Sequence, residues 1–248
     1  MQNIKLIIAY DGGAYLGWQN TQEGPSIEAA LQSALAQILQ QPVQLQAASR
    51  TDAGVHALGQ VVNFVVVKKP FDLRRLHTGL NSLLPKDIVV ISAQAASLHF
   101  HPTLDSTAKE YRYYLCLGPL QLPQHRHYSW HEHHSLDIEK MRAAASALIG
   151  KHDFSAFCNF KKNAHYQDFV REVHNIEILP LEGQRLCIQV EGSHFLYKMV
   201  RNIVGTLVYI GRGKIPLEEL PQLLATQDRT KIGITAPAHG LYLHKVIY

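Results

Sequence analysis

Cysteine is scarce in this chain, charge is modest, and no apolar run reaches the length of a bilayer span. Only three cysteines occur in 248 residues, at Cys116, Cys158 and Cys187. Odd in number and far apart, they give no disulfide framework and no CxxC metal knuckle, and they favour a reducing cytoplasm. A membrane helix needs about 18 or more consecutive apolar residues. The opening hydrophobic run is cut short by Asp11, Gly12 and Gly13, so it reads as a strand and not as a signal peptide. The loop Asp11 to Gln19 is glycine-rich but lacks the Lys-Ser/Thr pair that ends a phosphate-binding P-loop. No nucleotide-binding glycine motif is present.

What is present describes a globular chain. Hydrophobic residues make up 46% and charged residues 18%, enough for a substantial core in one large domain or two small ones. The net charge of +4, with 15 further histidines, suits a polyanionic partner, as it would a mildly basic enzyme. Five of those histidines crowd the tract 125–134. Their alternation without an acidic or cysteine partner at a fixed offset reads as a surface loop, and no metal is expected.

Hydrophobic periodicity gives one plan twice. Ile4 to Tyr10 is a strand. Pro25 opens a helix carrying Ile27, Ala30, Leu31, Ala34, Leu35, Ile38 and Leu39 on one broad stripe. A hairpin follows, then a helix from Leu73 to Leu84 stopped by Pro85, then a strand from Ile88 to Ala95. The order β-α-β-β-α-β is that of a ferredoxin-like unit. The strand Thr107 to Leu117 restarts it, with Tyr111, Tyr113 and Leu115 on one face. A helix over Leu136–Ile149, strands over Val170–Leu179 and Arg185–Glu191, a helix around Met199, a short helix over Leu217–Ala225 and a last strand over Gly240–Tyr248 complete the second unit. The predicted fold is α+β: two ferredoxin-like (RRM-like) halves, with mixed, mainly antiparallel sheets flanked by helices. They divide as 1–105 and 106–248.

The hairpin carries the densest chemistry. Between Ala47 and Val61 the chain reads Ala-Ser-Arg-Thr-Asp-Ala-Gly-Val-His-Ala-Leu-Gly-Gln. A turn needs only the glycines and an Asp. Arg50, Thr51, Asp52 and His56 exceed that requirement, and a carboxylate beside a cation and open backbone can meet a substrate. The C-terminal string Phe-Leu-Tyr-Lys-Met-Val-Arg-Asn-Ile-Val-Gly is a second cluster. At about 100° per residue, Leu196, Met199, Val200, Ile203 and Leu207 form its buried stripe, while Lys198, Arg201, Asn202, Gly205 and Tyr209 fall on or beside the opposite face.

These strings together carry a resemblance. R-T-D-A-G-V-H-A followed by G-Q-V resembles the signature of the tRNA pseudouridine synthase A family, with Ser49 where that family usually has Gly. Y-D-G-x-x-Y-x-G-W-Q, Y-R-Y and M-V-R-N-I-V-G are similar to further strings of the same family. The resemblance implies Asp52 as the nucleophile, Arg201 as its cationic partner, Arg50 in support and Tyr111 over the base. Lys198, Asn202, Trp18 and His56 would contact the substrate. It also implies action on uridines 38, 39 and 40 of the tRNA anticodon arm, by a homodimer, without cofactor or metal.

The implied chemistry breaks the bond from ribose C1′ to uracil N1 and rebonds the base through C5. A carboxylate attacks C1′ or C6, or removes the C2′ proton. The base must leave its stack, and A-form RNA is recognised through shape, phosphates and 2′-hydroxyls. Arg50, Lys68, Lys69, Arg74, Arg75, Lys161, Lys162, Arg212 and Lys214 are candidate phosphate contacts. The alternatives are a non-catalytic RNA-binding module of paired ferredoxin-like units, and a metal-dependent hydrolase built on the 125–134 tract.

Overall fold

The computed structural model describes residues 1–21, 23–67, 72–159 and 168–248. Lys68, Lys69, Lys161 and Lys162 lie outside them. The chain divides into two compact units, Met1–Thr107 with Tyr242–Tyr248, and Ala108–Leu241.

The first unit follows the β-α-β-β-α-β order: β1 (Gln2–Tyr10), α1 (Ile27–Leu39), β2 (Gln46–Ala47), β3 (His56–Val66), α2 (Leu73–Leu83) and β4 (Ile88–Ala96). Ile4, Leu6, Ile8 and Tyr10 alternate into the core, as period two requires. The Ser26 hydroxyl caps α1 by accepting the Ala29 amide at 3.2 Å. Ile27, Leu31, Ala34 and Leu35 are its buried stripe. Asp72 caps α2 in the same way, and Leu76 and Leu80 point inward. Each fully buried leucine contributes about 1.5–3 kcal/mol relative to exposure. Strand β3 lies between β1 and β2, antiparallel to both. The expected hairpin is therefore present, but β3 begins at His56, ahead of Val61. A turn closed by the Val55 amide on Asp52 O, at 3.1 Å, leads straight into pairing.

The second unit holds β5 (Ala108–Leu117), β6 (Trp130–Glu132), α3 (Ile138–Ala147), β7 (Gly150–Asp153), β8 (Val170–Leu181), β9 (Arg185–Gly192), α4 (Met199–Gly211) and α5 (Leu220–Ala225). Its sheet runs β6-β5-β9-β8-β7, antiparallel except for the β5–β6 pair. Both units are thus α+β with mainly antiparallel sheets and flanking helices. Among the described residues no helix is long and apolar enough to cross a membrane.

Three sequence expectations change. The last strand, β10 (Leu241–Ile247), pairs in parallel with β3 through Tyr242↔His56 and Leu243↔Ala57, so it completes the first unit and not the second. Stacking of Tyr242 on His56 at 4.6 Å and the Thr107 amide on Ile247 O at 2.9 Å fix it there. Helix α4 has no open polar face: only Arg201 and Tyr209 are even half-exposed along it. The histidine tract is not a plain loop, because β6 runs through it and Glu132 is fully buried.

Candidate active site

The loop after β1 holds the loop before β3 in place. The Trp18 amide donates to Thr51 O at 3.0 Å, the Gly54 amide to Tyr15 O at 3.3 Å, and Tyr10 Oη lies 2.8 Å from Thr51 Oγ1. Gly17 makes this approach feasible. It adopts φ +100, and a Cβ there would lie 2.5 Å from Thr51 O. From the other side, Gln60 reaches back along β3. Its Oε1 accepts the Ser49 amide at 3.2 Å and its Nε2 donates to Ser49 O at 2.6 Å. Both bonds use the Ser49 backbone, so this clasp does not read the side chain at the position where the family's Gly usually stands.

Asp52 sits half-buried on this loop, with Arg50 exposed two residues before it. The neighbouring motif residues are taken up by the fold. Trp18 is 3% exposed and packs toward Tyr10, their ring centroids 6.5 Å apart. His56 is 1% exposed; its Nδ1 accepts the Gly12 amide at 3.1 Å and lies 3.0 Å from Asp11 Oδ1. Trp18 and His56, for which the sequence suggested substrate contacts, are thus both buried.

In the second unit, β5 carries Tyr111, which is buried and opposite Val190 of β9. Its ring meets Phe195 edge to face, centroids 5.3 Å apart. Tyr113 lies on the same face and donates its hydroxyl to Pro237 O at 2.8 Å; burial raises its pKa well above the usual phenol value.

Helix α4 orients Arg201 through a segment that crosses it. Arg201 Nε donates to Ala236 O at 2.7 Å, and the Ala236 amide donates to Arg201 O at 3.1 Å. Gly205, the last residue of M-V-R-N-I-V-G, admits this segment: a Cβ there would lie 1.7 Å from Ile234 O. Asn202 is fully buried. Its Nδ2 donates to Phe157 O at 2.7 Å and Asn159 Oδ1 at 2.8 Å, and its Oδ1 accepts Arg229 Nη2 at 2.9 Å and Thr235 Oγ1 at 2.7 Å. Asn202 braces the segment, where the sequence suggested a substrate contact. Lys198 stands before the helix in left-handed backbone, φ 61, with its ammonium 5.0 Å from the Tyr197 ring centroid.

Gln60 and Gly17 fall within the family-like strings with no role assigned there; their place against the Asp52 loop, and those of Phe195 and Arg229 against Tyr111 and Asn202, come from tertiary contacts. Of the proposed phosphate contacts, Arg74, Arg75 and Lys214 are exposed. Arg212 is not available: its guanidinium pairs with the buried carboxylate of Glu132. Glu132, His133 and His134 bring ligand atoms within 4.8 Å of one another. The carboxylate is already committed to Arg212 and to His134 Nδ1, the latter at 2.9 Å, a poor donor set for a cation.

A carboxylate on a loop clamped through its backbone suits acid–base or nucleophilic chemistry, and the second unit, taken by itself, orients a tyrosine and an arginine. Residues 6–105 and 144–248 match the sequence model of the tRNA pseudouridine synthase family, and the chain belongs to that family. It is 58% identical over all of its 248 residues to tRNA pseudouridine synthase A 2 of Protochlamydia amoebophila, of which it covers 95%. It is 43% identical to tRNA pseudouridine synthase A of Thermoanaerobacter sp. strain X514, with all of both chains covered. A second protein of Protochlamydia amoebophila, tRNA pseudouridine synthase A 1, is 42% identical, with 97% of that protein covered.

Proposed function

We infer that this chain is an isomerase converting uridine to pseudouridine in tRNA, with Asp52 as the reacting carboxylate. The observation that carries the assignment to Asp52 is the double clasp on its loop, from Trp18, Tyr15 and Tyr10 on one side and Gln60 on the other. Such fixing holds a reactive group in attack geometry at no further entropic cost. Arg201, its Nε anchored on Ala236 O, serves as the cation that keeps Asp52 ionised, and Arg50 supports the loop. Tyr111 holds the flipped base by stacking and one hydrogen bond. Lys198 completes the substrate contacts. A phenol is a poor base at neutral pH, which suits positioning better than proton abstraction.

We further propose that the substrates are uridines 38, 39 and 40 of the anticodon arm and that the enzyme acts as a cytoplasmic homodimer. The full-length likeness to tRNA pseudouridine synthases A supports the first, and three buried free cysteines suit a reducing compartment. No redox cofactor is required, because the isomerisation involves no redox change, and we propose that the reaction runs without a metal.

Tritium release from tRNA labelled at uracil C5 separates this enzyme from a non-catalytic RNA-binding module. Release in step with pseudouridine formation is expected. Tight tRNA binding with no release by the wild-type protein would leave the binding module as the correct reading.

A further inference from the structure

Strand β5 places Lys109, Tyr111 and Tyr113 on one face, since alternate residues of a strand point the same way. Lys109 is only 5% exposed, an uncommon state for a side chain whose charge prefers water. Burial holds its pKa below the ordinary lysine value. Its Nζ lies 3.4 Å from Nδ1 of His194. An ammonium can only donate, so Nδ1 accepts and a neutral His194 carries its proton on Nε2. Burial first, then the charges of Lys109 and Arg171, hold the His194 pKa below its usual value and favour that neutral form. Lys109 thus fixes the tautomer of an exposed imidazole and leaves it an N–H donor.

The neighbours of this pair give it a use. Phe195, the residue after His194, is the ring that meets Tyr111 edge to face. Two contacts therefore run side by side, Tyr111 with Phe195 and, two residues earlier on the same strand face, Lys109 with His194. A strand rise of about 3.3–3.4 Å per residue separates Lys109 and Tyr111 by about 7 Å. That is comparable with the reach from a nucleobase to its own phosphate. Arg171, tied to Asp168 at 2.9 Å, adds a second positive group to the field at His194.

We propose that His194 and Lys109 form the phosphate subsite for the flipped nucleotide whose base is held at Tyr111. The proposal rests on the reading of this chain as a tRNA uridine isomerase and adds the group that grips the target nucleotide's own backbone. The His194 N–H donates to a phosphate oxygen, while Lys109 supplies positive potential from beneath the imidazole. A neutral donor backed by a buried ammonium orders the nucleotide without reading its sequence, as a phosphate contact should.

The test measures binding of an unmodified anticodon stem-loop to wild type, His194→Ala, His194→Arg and Lys109→Met over a salt series. The first and last variants should lose affinity about tenfold. Loss of the ammonium charge beneath the imidazole in Lys109→Met should also lower the salt slope by up to about one. His194→Arg, which keeps a donor and a charge, should recover most of the affinity. Replacing the phosphate of the target uridine by a methylphosphonate should cost wild type the same factor and cost His194→Ala nothing further. His194 is exposed, so its Ala variant tests the subsite even where Lys109→Met proves unstable. Tritium release by wild type, combined with wild-type affinity in His194→Ala or an equal methylphosphonate penalty in both proteins, would overturn the subsite alone. A wild-type protein that releases no tritium would overturn the isomerase reading beneath it.

Discussion

Asp52 and Glu132 are both carboxylates set among histidines and arginines in sequence, and the fold treats them in opposite ways. Glu132 is fully buried, with Arg212 and His134 closing on its oxygens. Burial alone would raise its pKa, but the hydrogen bonds from Arg212 and His134 prevail and hold it below the ordinary value. Asp52 is half-exposed, and the surrounding loop is fixed chiefly through backbone atoms and the side chains of Tyr10 and Gln60. The difference separates a carboxylate enclosed by Arg212 and His134 from the one proposed as the reacting group. Density of ionisable residues in sequence does not distinguish the two; the identity of the atoms that hold the loop does.

That contrast can be broken by exchanging readouts. Asp52→Asn should reduce isomerisation by about 10²–10⁴-fold or more, the range for removing an acid–base group, while tRNA affinity and melting temperature stay close to wild type. Tritium release and filter binding measure both sides. Activity above a few per cent in pure Asp52→Asn protein, free of deamidation, would remove Asp52 from its role.

Glu132→Gln should do the reverse. It leaves Arg212 buried without its anion, at a cost of about 3–5 kcal/mol in chemical denaturation. The pH dependence follows from the lowered pKa. Stabilisation by Glu132 is fully present above the unfolded value of about 4.3 and is lost as pH falls through the lower folded value. The Gln variant should therefore show a shallower loss of stability below pH about 4.3, with catalysis by the folded protein unchanged. Equal acid sensitivity in the two proteins would show that Glu132 does not carry this linkage.

The second unit sharpens the comparison with smaller effects. Gly205→Ala drives a methyl group into Ile234 O and should cost about 1–3 kcal/mol in stability, with lower activity because the segment anchoring Arg201 shifts. A neutral outcome would mean that this segment is free to move aside. The smallest expected effect is Tyr111→Phe, which removes one hydrogen bond of about 1 kcal/mol, whereas Tyr111→Ala also removes about 1–3 kcal/mol of stacking. If single-turnover rates fall equally in both, the hydroxyl takes part in the chemistry.

Much of the first unit is legible in the sequence because its contacts are local. The helix stripe from Ile27 and the hairpin flanking Asp52 both join residues close in sequence, the hairpin pairing Gln46 with Asn63 and Ala47 with Val62. The partnership of β10 with β3 is not legible, since it joins residues more than 180 positions apart, such as Tyr242 and His56. The same limit explains Asn202 and Gly205. A helical wheel places them on a polar face, but the chain from Arg229 to Ala236 returns across that face and buries both. Trp18 and His56 belong to a recognisable string, yet their burial follows from packing between two loops whose sequences give no distance. Residue strings thus disclose the chemistry on offer, and tertiary contacts decide which members are left to perform it.

The most direct test of the account is pseudouridine mapping of unmodified tRNA, by carbodiimide-dependent primer extension, after incubation with the wild-type protein alone. Pseudouridine is expected at positions 38, 39 and 40 wherever uridine occurs there, with no added cofactor and with metal chelator present. Modification confined to other positions would contradict the anticodon-arm assignment, and no pseudouridine in tRNA that the protein binds would contradict the enzyme itself.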